Sequence, residues 1–302
     1  MRIAKSKLSF LRRIIQHRLA RQPRVCPYCA ESLKIELMGR KKLILDVVRC
    51  QNCLLIFRYP MDDSEESYTY YEHEYESGAT THLPHDNQVK SMLENGFKGT
   101  GLDLGAKIKV LKGLRSSGRV LDYGSSWGYG TYQLAAHGYR AIGFEISRAR
   151  AQFGREKLGV QIVDDPSELE NFPGQSFDII FTNHVLEHLL CLREKMNLFA
   201  RLLADEGIMF HVLPNFSGTS ARSGLFWKWI GEAHPIAPSK AFFERNLSKH
   251  GFRQVVCASG PFDDTLEEKL FQQQFEKLDI EGDELLVLAW KSYQKKQGRS
   301  PA

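Results

Sequence analysis

The stretch that decides the fold is an apolar segment leading into a glycine-rich turn, V-L-D-Y-G-S-S-W-G-Y-G-T at residues 120–131. The apolar part ends at Asp122, and Gly124, Gly128 and Gly130 follow at short intervals. Glycine permits a tight turn in which the backbone approaches a ligand closely. We therefore expect a strand at 119–122, a ligand-binding turn, and a helix near 129–137.

Strands and helices alternate from about residue 90 onward. Further strands are predicted at 141–145, 160–163, 177–182 and 208–213, with helices near 148–158 and up to about 203. After a helix near 239–250, strands at 252–258 and 285–290 would close the sheet as an antiparallel pair. This alternation predicts an α/β fold with a doubly wound, seven-stranded Rossmann-like sheet that binds ligands at the carboxyl ends of its strands.

The second predicted strand, at 141–145, also ends in an acid. This acid is Glu145, which lies 23 residues after Asp122. A carboxylate at that place can accept both hydroxyls of an adenosine ribose. Nicotinamide and flavin enzymes carry G-x-G-x-x-G around a pyrophosphate, whereas here Asp122 precedes the first glycine by two positions and would repel that group. The pattern favours a cationic ligand, and S-adenosylmethionine carries both a sulfonium and an ammonium group.

On these motifs, residues 95–293 resemble the class I S-adenosylmethionine-dependent methyltransferases, most specifically over residues 120–215. The resemblance implies that Asp122, Gly124 and Gly128 hold the methionine part of the cofactor and that Glu145 binds the ribose. It also implies that Asp164 or Asp165 contacts the adenine amine and that Asn183, at the end of the fourth strand, faces the methionine part. The middle glycine of the family turn is Ser126 here, whose hydroxyl could bond the cofactor carboxylate.

The segment H-V-L-E-H at 184–188 follows the fourth strand, and on a helix His184 and His188 would share a face with Glu187 beside them. H-x-x-E-H is also the inverted zinc-protease pattern, but a position after a parallel strand beside the cofactor cleft does not fit a protease. The segment resembles the L-E-H signature of small-molecule methyltransferases. Quinone O-methyltransferases with E-x-x-E-H there hold a divalent metal, and His184 replaces the first acid, so a second metal stays an open alternative to hydrogen-bonding roles.

Methylation of an alcohol requires removal of its proton, a task that suits a histidine with a pKa near about 6.5. We expect His184 and His234 to be catalytic, and His211 to be a strand residue with a hydrogen-bonding partner. Aromatic residues that follow the fifth strand could form a lid over the acceptor: Phe216, Phe226, Trp227 and Trp229.

Two C-x-x-C pairs precede the sheet, separated by 20 residues, and they consist of Cys26, Cys29, Cys50 and Cys53. Four thiolates on two turns predict a closed, structural zinc site that lets a short β module fold with little core. Such ribbons bind nucleic acid in some proteins, and Arg40, Lys41, Lys42 and Arg49 could contact phosphate. The alternative is a docking module that completes the acceptor site. The layout resembles enzymes that modify sugars and glycans, in which tyrosines like Tyr68, Tyr70, Tyr71 and Tyr75 recur.

The formal net charge of +5 over 302 residues is unevenly distributed. Residues 1–24 carry eight Lys or Arg and no acid, whereas residues 61–89 carry eight acids and no Lys or Arg. Leu8, Leu11, Ile14, Ile15 and Leu19 recur at helical spacing, which predicts a basic amphipathic helix. We expect it to contact an anionic surface (a membrane or a partner) or to fold onto the body.

These observations predict five regions: a basic arm (1–24), a zinc ribbon (25–60), an acidic connector (61–89), a methyltransferase domain (90–293) and a tail (294–302). The expected protein is a cytoplasmic enzyme without a transmembrane segment that uses S-adenosylmethionine and structural zinc. The favoured reaction is O-methylation of a small-molecule or glycan acceptor. The alternatives are an RNA methyltransferase that binds nucleic acid through the arm and ribbon, and a non-catalytic cofactor-binding module.

Overall fold

The computed structural model describes residues 2–70 and 82–291. Strands pair into two sheets, and in chain order they are β1 (Ile35–Lys41), β2 (Leu45–Cys50), β3 (Ile56–Tyr59), β4 (Arg119–Tyr123), β5 (Arg140–Phe144), β6 (Ile162–Val163), β7 (Phe177–Asn183), β8 (Leu203–Pro214), β9 (Ile236–Ala237), β10 (Phe252–Ser259) and β11 (Glu284–Lys291). The larger sheet has the order β10-β11-β8-β7-β4-β5-β6. Strands β4 to β8 are parallel, and β11 pairs antiparallel with both β8 and β10. The seven-stranded α/β sheet is therefore confirmed.

Helices cover both faces of this sheet, and in chain order the α-helices are α1 (Arg2–Leu19), α2 (Ser64–Thr69), α3 (Asp86–Glu94), α4 (Gly105–Leu114), α5 (Tyr129–Ala136), α6 (Arg148–Leu158), α7 (Pro166–Asn171), α8 (Leu192–Leu202), α9 (Phe226–Trp229), α10 (Lys240–Asn246) and α11 (Asp264–Phe271). Within the described ranges, every helix is too short or too polar to span a lipid bilayer.

The apolar residues of the central strands alternate between two cores, as side chains of a strand point to opposite faces. In β7, Ile180 belongs to the core that includes α8 and α10, whereas Ile179 and Phe181 belong to the core that includes α4, α5 and α11. A sheet buried on both faces accounts for the nearly continuous apolar runs of its strands. The strand limits differ from the predicted ones mainly at two strands. Strand β6 contains only two of the four residues predicted at 160–163, and β8 begins five residues before the predicted start at 208.

The cysteine-containing region forms the smaller sheet, with the order β1-β2-β3-β9. Strand β9 comes from the segment after β8, where Ile236 and Ala237 pair with Phe57 and Ile56. The sequence did not predict this strand, because two residues carry no periodicity. The ribbon and the larger domain therefore share a sheet.

The basic arm forms helix α1, as its spacing predicted, but the helix does not bury the whole apolar stripe that the sequence showed. Ile14 is fully buried, whereas Leu8, Ile15 and Leu19 are exposed. Polar contacts set this orientation: Arg18 pairs with the buried Asp46 at 3.0 Å, and His17 lies 2.9 Å from Glu66. The arm thus folds onto the body, which is one of the two expected outcomes.

The acidic region also contains more structure than its sequence predicted, namely α2 and α3. Tyr70 is buried. Two of the tyrosines expected to matter there, Tyr71 and Tyr75, lie outside the described residues, as does the tail at 294–302.

Candidate functional site

The glycine-rich turn connects β4 to α5 and is fastened to the neighbouring strand. Gly124 and Gly128 have φ of 81° and 82°, the left-handed region that favours glycine. The amides of Gly124 and Ser125 donate to the carbonyl oxygen of Phe144, the last residue of β5, at 2.8 and 2.9 Å. The turn therefore brings the carboxyl ends of β4 and β5 together.

Asp122 is buried at the end of β4, where the hydroxyl of Thr131 donates to its Oδ2 atom at 2.7 Å. Burial raises the pKa of Asp122 to about 7, the hydrogen bond from Thr131 opposes this shift, and the nearby charge of Glu145 adds to it. A cationic ligand would compensate the cost of ionising this carboxyl. The side chain thus fits an ammonium or sulfonium group.

Glu145 is buried at the end of β5 and is held by the turn. The amide of Ser126 donates to Oε2 at 2.9 Å, and the amide of Ser147 donates to Oε1 at 2.9 Å. Arg150 lies 3.7 Å from Oε1. These contacts fix the orientation of the carboxylate, a group that only accepts hydrogen bonds and so suits a ligand hydroxyl. Ser126 adopts a φ of 51°, so a serine here occupies a conformation that usually favours glycine.

The two acids after β6 have different surroundings. Arg155 donates to Oδ2 of Asp164 at 2.8 Å. Asp165 is the N-cap of α7, where it accepts from the Ser167 amide at 2.8 Å, and hydrogen bonds from the Ser167 side chain and backbone lower its pKa. Capping therefore engages the Asp165 carboxylate.

A cleft of about 930 Å³ opens beside the turn, between Trp127 and the segment that leads into α3. Its walls include His82, His85, Met92 and Leu102. This volume is within the range of small-molecule and cofactor sites.

A second group of polar side chains lies where β7 ends. Lys107, from α4, donates to Oδ1 of Asn183 at 2.8 Å and to Oε1 of Glu284 at 2.7 Å. The Nε2 atom of His184 lies 2.6 Å from the same Glu284 oxygen. Sequence reasoning missed Lys107 and Glu284, because neither belongs to a motif and each reaches the site from a remote element.

His184 and His188 do not share one α-helix as predicted. His184 has a φ of 56°, and a short 3₁₀-helix then covers Leu186–His188. Glu187 is nevertheless fully buried between the two rings, with His184 Nδ1 at 3.5 Å and His188 Nε2 at 3.8 Å from Oε1. The turn at His184 and the short helix thus bring two histidine rings to one carboxylate.

His234 joins this group from the segment after β8. Its ring centroid lies 4.8 Å from that of His188, whose Nδ1 donates to the Ala233 oxygen at 2.5 Å. Ligand atoms of Glu187, His188 and His234 lie within 4.8 Å of one another, and such a donor set could hold a metal ion.

The surroundings give these groups different protonation states. Burial acts to raise the pKa of Glu187, but the three histidines lower it to about 2. Burial acts to lower the pKa of His184, but hydrogen bonds with Glu187 and Glu284 raise it to about 9. Burial lowers the pKa of His234 to about 4. At neutral pH, His184 is therefore protonated, and His234 has a free electron pair.

The other candidates take various positions. His211 is buried in β8, with Nδ1 2.9 Å from the Thr182 hydroxyl. The ring of Phe216 packs against His234, Phe226 and Trp229, at centroid distances from 6.1 to 6.4 Å. Trp227 is 37% exposed. Its ring centroid lies 5.5 Å from that of Phe226, so the four predicted lid residues form one aromatic cluster beside the histidines.

The four ribbon cysteines converge as their spacing predicted. The Sγ atoms of Cys26 and Cys53 are 3.4 Å apart, and those of Cys29 and Cys50 are 3.5 Å apart. All four lie within 4.8 Å of one another, and none of these cysteines is in a disulfide. Tetrahedral ligands at the usual zinc–sulfur distance are about 3.8 Å apart, so the cluster fits a zinc ion.

Two of the four basic ribbon residues that could contact phosphate, Arg40 and Lys41, instead bind groups of the protein, whereas Lys42 is exposed. Arg40 donates to Oδ1 of Asp46 at 2.7 Å, and Lys41 donates to the Ile230 oxygen at 2.5 Å. A further basic residue of the ribbon, Arg58, donates to the Gly231 oxygen at 2.8 Å and was not predicted as a functional residue. The signal that could have identified it is a lone arginine within the apolar run at 54–59.

Comparison with known proteins agrees with this geometry. A family model described as "Methyltransferase domain" matches residues 91–258. The uncharacterized methyltransferase YcgJ of Bacillus subtilis is 27% identical over 134 residues, which are 42% of this chain and 53% of that protein. The chain thus spans about half the length of this curated relative.

The fold has a counterpart among solved structures. The crystal structure of an S-adenosylmethionine-dependent methyltransferase from Archaeoglobus fulgidus has a TM-score of 0.50 and 17% identity, and the similarity covers 67% of this chain and 99% of that one. At this identity the likeness concerns the fold. The family match itself spans more than half of the 302 residues, at the domain that holds the glycine turn. The chain therefore belongs to the methyltransferase domain family, with the class I, Rossmann-like architecture that its sequence predicted.

Proposed function

We propose that the protein transfers a methyl group from S-adenosylmethionine to an oxygen atom of a small-molecule or sugar-type acceptor. The observation that carries this proposal is the pairing of two sites at one edge of the sheet. Asp122 and Glu145 are buried carboxylates beside the glycine turn, and the cluster of Glu187 and its histidines lies where β7 ends. Bound S-adenosylmethionine would supply a methyl group on a positively charged sulfur.

The cofactor assignment rests on the chemistry of the available donors. Asp122 would bind the ammonium group of the methionine part, beside the backbone of Gly124, Ser126 and Gly128. Glu145, which the Ser126 and Ser147 amides hold in place, would accept the ribose hydroxyls. For the adenine amine we favour Asp164, since Asp165 caps α7. Asn183, held by Lys107, would face the methionine part.

The two predicted catalytic histidines differ in protonation state, so we assign them different roles toward the acceptor. Methyl transfer is an in-line displacement, so much of the rate comes from holding the acceptor in position. A hydroxyl acceptor must also lose its proton, and His234 has a free electron pair for it, since burial lowers its pKa to about 4; the same burial makes the ring a weaker base, so the proton transfer needs a compensating charge nearby. The ionised Glu187 would stabilise the imidazolium that forms. His184 carries its proton already, so we assign it a positioning or charge-stabilising part.

The proposal also includes a zinc ion bound by four cysteines, namely Cys26, Cys29, Cys50 and Cys53. The distances between sulfurs support a four-thiolate site of the structural kind, which leaves no position for substrate. The zinc site would thus have a structural role and would take no direct part in methyl transfer.

The experiment that tests the function uses methyl-labelled S-adenosylmethionine incubated with the protein and a fractionated cell extract. We expect the label in small polar metabolites or glycans, as a base-stable ether. Label in RNA would support the RNA methyltransferase alternative and contradict our proposal. Failure of S-adenosylhomocysteine to bind in calorimetry would contradict both methyltransferase hypotheses, whereas binding without label transfer to any fraction would favour the non-catalytic cofactor-binding module.

A further inference from the structure

The segment that carries His234 is tied to the zinc ribbon through its backbone. Lys41 donates from β1 to the Ile230 oxygen at 2.5 Å, and the Arg58 side chain donates through Nε to the Gly231 oxygen at 2.8 Å. The Arg58 amide donates to the Pro235 oxygen at 2.9 Å. Ribbon donors therefore hold the segment on both sides of His234.

Arg58 is anchored on the ribbon side at the same time. Its side chain is fully buried in β3, and its guanidinium also hydrogen-bonds to Asp62 and to the Pro60 oxygen. The ring of Phe10, from the arm helix, lies 5.1 Å from the guanidinium carbon. Burying a charged group is costly unless its donors are satisfied, so this network has one favourable arrangement.

The arm reinforces the connection. Arg13 lies 3.7 Å from Asp62 and 3.7 Å from Glu232, two residues before His234. On the other side, His188 donates to the Ala233 oxygen. The segment is thus fixed between the arm and ribbon on one side and the 3₁₀-helix after β7 on the other.

We propose that Arg58 and Lys41 are positioning residues for the acceptor side of the methyltransferase site. They hold the 230–235 segment so that the His234 ring stays beside Glu187 and His188. The cofactor side is independent of this support, because Asp122 and Glu145 are held by Thr131 and Ser126 within the larger sheet. The inference rests on the proposed function only in assigning His234 to the acceptor.

A displacement of about 1 Å in a reacting group can reduce a rate about a hundredfold. Loosening the segment should therefore reduce turnover while cofactor binding stays unchanged. This separation distinguishes positioning from general destabilisation.

The test compares Arg58→Ala, Arg58→Lys and Lys41→Met in the full chain, with Lys42→Met as the control, since Lys42 is exposed and adjacent to Lys41. Hydrogen exchange of amides 229–237 is the first readout, and we expect it to accelerate about tenfold in Arg58→Ala and Lys41→Met. Arg58→Lys should recover part of the protection, because an ammonium group can still reach one carbonyl. Affinity for S-adenosylhomocysteine should not change.

With an acceptor identified, kcat should fall about tenfold and the KM for S-adenosylmethionine should stay constant. Unchanged exchange in Arg58→Ala and Lys41→Met, or a loss of S-adenosylhomocysteine affinity as large as the change in exchange, would overturn the inference. If Arg58→Ala does not fold, the hydrogen exchange of amides 229–237 in Lys41→Met decides whether the ribbon holds the segment. If no acceptor is methylated, the proposed function fails, whereas exchange still decides whether the ribbon holds the segment.

Discussion

The Ser126 amide donates a 2.9 Å hydrogen bond to the Oε2 atom of Glu145, which joins the one unusual residue of the glycine turn to the acid of the next strand. A residue other than glycine with left-handed backbone loses about 1–2 kcal/mol. A hydrogen bond to a charged acceptor contributes about 1.5–3 kcal/mol, which is enough to offset that cost. The serine is therefore compatible with an intact turn.

Removing this carboxylate should weaken cofactor binding. In Glu145→Ala we expect the Kd for S-adenosylhomocysteine to rise at least about tenfold, because in the proposed site two ribose hydroxyls would lose a charged partner. Calorimetry measures it. Ser126→Gly is the matched control, since it keeps the amide and relieves the backbone, and it should bind as the unaltered protein does. Unchanged affinity in Glu145→Ala together with weaker binding in Ser126→Gly would show that the serine side chain, and not Glu145, carries the interaction.

Cofactor binding should release a proton from Asp122. Burial raises the pKa of this carboxyl to about 7, and a bound ammonium group would lower it again. Affinity for S-adenosylhomocysteine should therefore increase from pH 5.5 to about 7 and then level off. Calorimetry at pH 6 in buffers of different ionisation enthalpy measures the proton, and Asp122→Asn should abolish the release. A pH-independent affinity would place the cation elsewhere.

The same shift affects stability with a defined sign. The pKa of Asp122 is raised in the folded chain from its ordinary 3.8 to about 7, so the folded state binds the proton more tightly. The stabilising contribution of this carboxyl is complete below pH 3.8 and is lost as the pH rises to about 7. Asp122→Asn should show a smaller decline in unfolding free energy over that window, measured by urea titration.

His234 should matter more for turnover than His184. We expect His234→Gln to reduce the rate of single-turnover methyl transfer about a hundredfold or more, the usual contribution of a general base. His184→Gln should cost less, because the raised pKa keeps His184 protonated and unable to accept a proton. His137→Gln, an exposed site on the far end of α5, is the control. A larger loss in His184→Gln would reverse the assignment.

The cysteine cluster should bind one zinc ion per chain. Cys53→Ala should lose that zinc and lower the unfolding midpoint by about 5–10 °C, since the metal replaces a core in the ribbon. Elemental analysis and thermal melting measure the two effects. Cys191→Ser, outside the cluster, should retain the metal. A second metal equivalent that survives in Cys53→Ala and disappears in Glu187→Gln would instead show a metal at the histidine cluster.

Deleting residues 1–20 should leave cofactor affinity unchanged while it destabilises the chain. The arm buries Ile14, and burial of one such side chain contributes about 1.5–3 kcal/mol. The loss of Arg18 should add less, because the buried Asp46 keeps Arg24 and Arg40 as partners. Urea unfolding and calorimetry give the two quantities. Affinity for RNA that falls steeply with salt and is lost with the arm would contradict the purely structural role that the Arg13 and Arg18 pairs indicate.

The fold could be predicted from the sequence because its signals are local. Asp122 and Glu145 each end an apolar strand, and parallel neighbours bring such ends together without further information. The cysteine spacing predicted its cluster for a similar reason. In each case a few adjacent residues define the geometry.

Other features depend on distant parts of the chain. Lys107 and Glu284 are 177 residues apart and meet only because α4 and β11 begin at the same edge of the sheet. The protonation of His184 could not be foreseen, since it depends on Glu284. The two-residue β9 shows no pattern at all, because its pairing depends on Ile56 and Phe57.

That fourth strand of the smaller sheet has a consequence for folding and for protein engineering. Strand β3 pairs with residues about 180 positions later in the chain, so its outer edge stays open during synthesis until most of the larger domain has been made. The cysteine module is consequently not an interchangeable cassette. Transplanting residues 25–60 onto another protein would leave an unpaired edge, and a ribbon taken from elsewhere would need its own partner for the 236–237 strand.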